Sequence, residues 1–286
     1  MAKVAIVTDS TALIPAELIN HHISLDIAPL QLIWGDKTYQ DGVDIHPAEF
    51  YEQLPASKIF PTTSQPSPAV FMNIYRRLLD QGFDILSIHI SSKLSGTLDS
   101  AIQARNNLDK SRIELVDSLS TSMAMGFQVL TSARAALQGA TLQECKALAE
   151  QARDRSGVFF LVNTLEYLRR GGRIGGAAAF LGTALNLKPI LTLHEGRIEP
   201  VERVRTMSKA IDRLLDIIVD KVGKSTPVRL AALHTVSFDE ASLLLNRARD
   251  RFSISDVADA VITDVSPVIG AHTGPGCLGL AYLAGM

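Results

Sequence analysis

"FDILSIHISSKLSGTLDSAIQARNNL", residues 83–108, carries an apolar run into a helix-like stretch through a loop crowded with hydroxyls. "FDILSIHI" is short and apolar, the pattern of a strand covered on both faces, and "GTLDSAIQARNNL" follows as its helix. The same alternation runs in both directions. Upstream, "KVAIVTD" reads as a buried strand followed by a short helix at Pro15, and "ISLDIAPLQLIW" as another strand. "HPAEFYEQL" opens as a helix at Pro47, and "SPAVFMNIYRRLLDQG" has Ser67 at its N-cap, Pro68 next and Gly82 as its stop. Downstream, "RIELVDS" is a strand and residues 121–137 a long helix. Such alternation predicts a parallel-sheet α/β/α domain whose sites gather at the carboxyl ends of the strands. Asp9, Ser10 and Thr11, the loop 91–95, and Asp117 and Ser118 fall on that rim.

A charged helical stretch, 141–154, leads to a second unit. There "GVFFLVNT" reads as a strand, and "LEYLRRGGRIGGAAAFLGTALNL" as helical at both ends around a glycine break. "KPILTLHEGRIEPVERVRT" is a hairpin turning at Glu195 and Gly196. A helix ("MSKAIDRLLDIIVDKV"), a strand ("VRLAALHT"), another helix ("FDEASLLLNRARDRF") and a strand ("ADAVITDVS") precede the glycine-rich tail "PVIGAHTGPGCLGLAYLAGM". Hairpin and crossovers together predict a mixed-sheet α/β domain. The expected division is 1–154 and 155–286.

Composition narrows the function classes. The chain has 286 residues, 47% of them hydrophobic, long enough for two cores and too apolar for disorder. Lys plus Arg number 28 against 30 Asp plus Glu, so no overall field attracts nucleic acid or an anionic membrane. Two cysteines, Cys145 and Cys277, form neither a zinc pattern nor a disulfide framework, as suits a reducing cytoplasm. The immediate start of a strand leaves no room for a signal peptide, and no apolar run reaches the roughly 18–20 residues of a membrane span. The expectation is a soluble, cytoplasmic protein without integral membrane association.

Two loops place hydroxyls ahead of a helix. In the first, Ser95, Gly96 and Thr97 stand where backbone N–H groups are unpaired and an anion is favoured. Ser95 alone would be an N-cap; with Ser91, Ser92 and a glycine that admits close approach, the loop reads equally as an anion nest. In the second, "PTTSQPSPAVF", Thr62, Thr63 and Ser64 are stiffened by Pro61, Pro66 and Pro68. A proline-rich connection explains Ser67 and Pro68 but not the hydroxyl triplet. Lacking the lysine of a phosphate loop, the two loops suit a carboxylate better than a nucleotide.

His272 lies between glycines in the tail, either a donor to a carboxylate or a structural histidine in a turn-rich terminus. The remaining histidines show no metal spacing, so no metal is expected. Arg169, Arg170 and Arg173 cluster around glycines, with Arg197, Arg203 and Arg205 in the following hairpin; they suit a partner's phosphate or carboxylate, or simply form a solvated face. "AAAFLGTALNL" reads as a packed core helix or as the wall of a long apolar ligand. A serine hydrolase would want G-x-S-x-G, which residues 93–97 fail at the first glycine.

"VTDSTALIP", "PTTSQPSP", "ISSKLSGTLDSA", "VDSLSTSMAMG", "LEYLRRGGRIGG", "KPIL", "VERVRT" and "VIGAHTGPG" occur in the order and spacing of the DegV family, which the chain resembles over almost its full length. The resemblance implies a long-chain fatty acid buried between two domains, its carboxylate held by Thr63 and Ser95 with His272 as a further donor. It also implies presentation of that acid, as by the fatty-acid-binding subunit of bacterial fatty-acid kinase, to an ATP-binding partner that makes an acyl phosphate for phospholipid synthesis. Arg173 and Arg205 fall where kinase-type members dock that partner. The chain departs from the family at Leu13-Ile14 and Leu98-Asp99. The resulting expectation is a non-catalytic lipid-binding protein without cofactor, whose ligand residues are Thr63, Ser95, His272, Thr62, Gly96 and Thr97. A stand-alone enzyme (serine hydrolase or dihydroxyacetone-kinase-like subunit) and a lipid carrier or sensor without a kinase are the rivals.

Overall fold

The computed structural model describes residues 3–181 and 187–286. The first part of the chain contains β1 (Val4–Asp9), β2 (Leu25–Ala28), β3 (Gln31–Trp34), β4 (Lys37–Gln40), α1 (Pro47–Gln53), β5 (Thr62–Ser64), α2 (Pro68–Asp80), β6 (Asp84–His89), α3 (Thr97–Arg105), β7 (Ile113–Asp117), α4 (Ser122–Leu137) and α5 (Leu142–Arg155). The rest contains β8 (Ser156–Leu161), α6 (Glu166–Arg170), β9 (Lys188–His194), β10 (Arg197–Val204), α7 (Met207–Val222), β11 (Val228–His234), α8 (Phe238–Arg249), β12 (Val257–Asp264), α9 (Pro267–Thr273) and β13 (Leu278–Ala284).

The parallel sheet has the order β2-β1-β6-β7. All six residues of β1 are buried, because α4 and α5 cover one face of this sheet and α2 and α3 the other. The second sheet, β10-β9-β8-β13-β11-β12, is antiparallel except for β11 with β12. The fold is therefore mixed α/β, with a parallel-sheet unit and a mixed-sheet unit. Helix α4 joins them: Met125 and Val129 pack with the first sheet, while Met123, Phe127 and Leu130 pack with β8, β11 and β13. A helix apolar on every side is one buried on every side. On the far face of the second sheet, the apolar stripe Ile211, Leu214, Leu215 and Ile218 seats α7.

Three features differ from the sequence reading. "ISLDIAPLQLIW" is two strands, not one, parting around Pro29: β2 joins the parallel sheet, and β3 centres a small antiparallel sheet, β4-β3-β5. Proline has no N–H to extend a ladder, and the chain changes sheets there. The hydroxyl triplet at 62–64 is the edge strand β5 of that sheet. The glycine-rich tail is not a loop: it forms α9 and then β13, the latter hydrogen-bonded between β8 and β11 with all seven residues buried. Glycines 274 and 276, at φ of 73° and 78°, make the turn between them. In "LEYLRRGGRIGGAAAFLGTALNL", α6 and a 3-10 segment, Gly175–Phe180, flank the glycines; residues 182–186, part of the expected second helix and of the expected ligand wall, lie outside the described residues.

Candidate functional site

Between the two sheets lies a cavity holding about 900 Å3 of space between protein atoms, its mouth included. Both units build it. Leu30, Ile90 and Leu94 line it from the first, Val158, Phe160, Leu193, Ile198 and Leu233 from the second, and Val268, Ile269 and Cys277 from the C-terminal segment. The wall is apolar apart from a few groups, the usual make-up of a site that buries a hydrophobic body and orients it by polar contacts.

Those polar groups are contiguous. Thr63 reaches the cavity from β5, and its Oγ1 lies 2.9 Å from His272 Nε2 on α9. Arg173 donates from Nε to Leu94 O at 3.0 Å and from Nη1 to Gly171 O at 2.7 Å. The next residue, Ser95, has its Oγ 2.9 Å from Thr97 Oγ1. Thr63, His272, Arg173 and Ser95 all line the cavity. Burial, reinforced by the Arg173 charge, pulls His272 down to about 4, so its ring is neutral at physiological pH. Its Nδ1 is buried without a partner against Gly171, where a Cβ would fall 2.0 Å away. An orphaned N–H is costlier than an orphaned lone pair, which places the proton on Nε2. His272 then donates to Thr63 Oγ1 and leaves the Thr63 hydroxyl proton to point into the cavity.

The head of the site is braced from the second unit. Ser91 carbonyl accepts the N–H groups of Leu94 at 2.9 Å and Ser95 at 3.1 Å, and the Ser91 hydroxyl donates to Gly196 O at 2.8 Å. Gly196 turns the β9–β10 hairpin at φ 79°, as its place beside Glu195 predicts. One rim contact thus fixes both the serine loop and the hairpin that carries Leu193 and Ile198.

The structure separates the expected site residues. Thr63, Ser95 and His272 come together. Thr62 points the other way on β5 and is exposed; Thr97 is buried under Ser95; a Cβ at Gly96 would meet Gln65 Nε2 at 3.0 Å. None of these three lines the cavity. Of the two arginines expected at a docking surface, Arg173 is half-buried and lines the cavity, and Arg205 is exposed and does not line it. Arg169 and Arg170 are paired with Glu166. Thr121 and Ser122 also line the cavity and were not among the expected ligand residues; the Thr121 hydroxyl is buried without a partner, and Ser122 has φ 52°. The hydroxyl-rich "DSLSTS" was the available signal. At the cavity Ser95 bonds to Thr97 and His272 to Thr63; Ser87 Oγ lies 2.7 Å from His89 Nε2, whose Nδ1 is 3.1 Å from Asp9 Oδ2, but all three are fully buried and do not line the cavity. Among the described residues, no group of three or more His, Cys, Asp or Glu could hold a metal, and no helix is long and apolar enough to cross a membrane.

Fold and cavity define a class: two-unit α/β proteins with an apolar cavity between a parallel and a mixed sheet, polar where hydroxyls, a neutral imidazole and a guanidinium meet. Within that class the chain belongs to the DegV family, whose model, described as "Uncharacterised protein, DegV family", matches residues 3–285. A DegV domain-containing protein of Streptomyces coelicolor is 44% identical over 278 residues, 97% of each chain. Among solved structures, a DegV family protein from Thermus thermophilus described for fatty acid binding superposes with a TM-score of 0.90 at 36% identity, covering 99% of both chains. DegV of Bacillus subtilis, described as a fatty acid binding protein, superposes with a TM-score of 0.88 at 32% identity, covering 99% of this chain and all of that one.

Proposed function

We propose that this protein binds one long-chain fatty acid in the cavity, with the carboxylate at Thr63 and Ser95. The observation that carries this reading is the Thr63–His272 contact inside an otherwise apolar cavity. His272 orients the Thr63 hydroxyl, the Ser95 hydroxyl donates as Thr97 supports it, and Arg173 contributes positive charge. Each hydrogen bond to a charged head group is worth about 1.5–3 kcal/mol. Burial of the acyl chain contributes about 0.8 kcal/mol per methylene before ordering costs are subtracted. The chain thus supplies most of the affinity, and the head group sets its direction. The fatty-acid-binding relatives support this reading.

The finer reading is that the bound acid is presented to an ATP-binding fatty-acid kinase subunit, with exposed Arg205 at the docking surface and the chain itself supplying no catalytic group or cofactor. The division into domains at 154/155, cytoplasmic residence and a ligand held at the domain interface belong to the same proposal. Native mass spectrometry of the purified protein, followed by organic extraction, tests the central claim. A stoichiometric fatty acid is expected; an empty protein that also refuses added fatty acid would overturn it.

A further inference from the structure

The cavity has a second polar corner, apart from the head group. Thr121 is the N-cap of α4, yet its side chain makes no cap hydrogen bond. Its Oγ1 is buried without a partner, in a residue that is 9% exposed and lines the cavity. A buried hydroxyl left unpaired needs a physical reason to stay. Ser122, the first residue of the helix, lines the cavity beside it and is held at φ 52°. Left-handed backbone at a serine is uncommon, and such strain gathers where a chain must present a group. Helix α4 runs for 16 residues from this point. Met125 N bonds back to Thr121 O at 3.4 Å, so the N–H groups of residues 122–124 have no acceptor within the helix. That end of a helix favours an acceptor oxygen.

This corner lies away from the carboxylate. Leu94, whose carbonyl holds Arg173 and which precedes Ser95, packs with Phe160, Ile198 and Cys277. Farther along, the wall residues Val158, Leu233 and Val265 pack with Met123 of α4 instead. Leu193 packs against both clusters and so lies between them. An acyl chain running from Ser95 past Leu193 brings its middle carbons, not its first ones, to Thr121. Methylenes alone would close off the Thr121 hydroxyl with no partner, at the desolvation cost of an unmade hydrogen bond. An oxygen on the chain turns that cost into a bond. The oxygen is a neutral one: among the described residues, the only charged side chain lining the cavity is Arg173, at the head-group end, and a buried charge without a counter-ion is far costlier.

We propose that the acid selected by this cavity is a hydroxy fatty acid, whose mid-chain hydroxyl is received by Thr121 and the first turn of α4. A hydroxyl fits this corner better than a keto group, because it both gives and takes a hydrogen bond. Its oxygen accepts from a helix N–H, and its proton goes to Thr121 Oγ1. Thr121 is then a specificity-determining residue: it favours an oxygenated chain and penalises a plain one. The inference rests on the fatty-acid reading and narrows its substrate class.

Competition against a fluorescent fatty acid, on the delipidated full chain, ranks stearate against stearates hydroxylated at carbon 2, 8, 10 or 12. At least one of the mid-chain hydroxystearates is expected to bind about tenfold tighter than stearate, and 2-hydroxystearate no tighter. Thr121→Val keeps the side chain's shape, and the hydroxyl it removes caps nothing, so the fold should hold; thermal unfolding checks this. The variant should bind stearate about three- to tenfold tighter and the favoured hydroxystearate weaker by a similar factor. A merely structural role for Thr121 would move both acids in the same direction. If the variant does not fold, the wild-type ranking decides alone. Stearate bound as tightly as every mid-chain hydroxystearate, or a Thr121→Val that shifts both acids alike, overturns the proposal and leaves the fatty-acid reading standing. A protein that binds none of these acids overturns both.

Discussion

Thr63 Oγ1 and His272 Nε2 lie 2.9 Å apart across 209 positions of sequence, one on an edge strand of the first unit and the other on α9, the helix that links β12 to β13. This contact crosses the cavity and connects the polar group of each side. It makes the head of the site dependent on how the two units are seated, and the following outcomes derive from it.

Removing a head-group hydroxyl should weaken ligand retention without unfolding the chain. Ser95→Ala and Thr63→Val each lose one hydrogen bond to a charged group, so the dissociation constant for a long-chain fatty acid should rise about 10- to 150-fold. Fluorescence displacement measures it, with thermal unfolding as the check on folding. Wild-type affinity in Ser95→Ala would remove that residue from the site.

His272 should make the protein less stable in acid. Its folded pKa of about 4 lies below the ordinary 6.5, so the unfolded chain takes up a proton that the folded site resists. Stability is whole above pH 6.5 and falls as pH drops toward 4, by about 1–2 kcal/mol at pH 5. His272→Gln should lack that loss, leaving a smaller drop in melting temperature between pH 7.5 and 5. An equal drop in both proteins would mean His272 is not held neutral.

Gly171→Ala tests the packing behind the imidazole. Its backbone angles are helical, so only space opposes a methyl group, and that space is occupied by His272 Nδ1 2.0 Å from the new Cβ. The ring must move, at a cost of about 1–3 kcal/mol. Denaturant unfolding should show this loss together with weakened fatty acid binding.

Ser91→Ala releases the hairpin from the serine loop. Loss of the bond to Gly196 O should cost about 0.5–1.5 kcal/mol and speed ligand release roughly 2- to 10-fold. Gly196→Ala should do more, because it adds a strained backbone at φ 79° and a Cβ 2.3 Å from Ser91 Oγ. Stopped-flow dissociation distinguishes the two from wild type; equal rates would show that the hairpin is held elsewhere.

The two arginines should part company. Arg173→Gln removes the bonds to Leu94 O and Gly171 O and a charge that depresses His272, so it should weaken fatty acid binding. Arg205→Glu should retain the acid and reduce acyl-phosphate formation with an ATP-binding partner subunit. A normal acyl-phosphate yield from Arg205→Glu would remove it from the docking surface.

Alternation of short apolar runs with capped helices determined the parallel sheet by itself, since "KVAIVTD" and "FDILSIHI" are apolar enough to need cover on both faces. Hydroxyls at 62–64 and 91–97 marked the rim that holds the site, and the Glu195-Gly196 turn marked the hairpin. Only the tertiary structure decided which of those side chains face the cavity. Neighbours on a strand point to opposite sides, so Thr63 enters the site while Thr62 meets solvent. The same holds for Arg173, whose cluster looks like surface until Leu94 O and Gly171 O are brought to it. The neutrality of His272 was equally invisible, because it follows from contacts with residues far along the chain. Even the place of β13 came from folding. Its glycine-rich approach reads as a loose tail, yet it pairs with β8 and β11 because Leu278, Leu280 and Tyr282 join the core under α7 on one face while Ala281 and Leu283 join the core under α4 on the other.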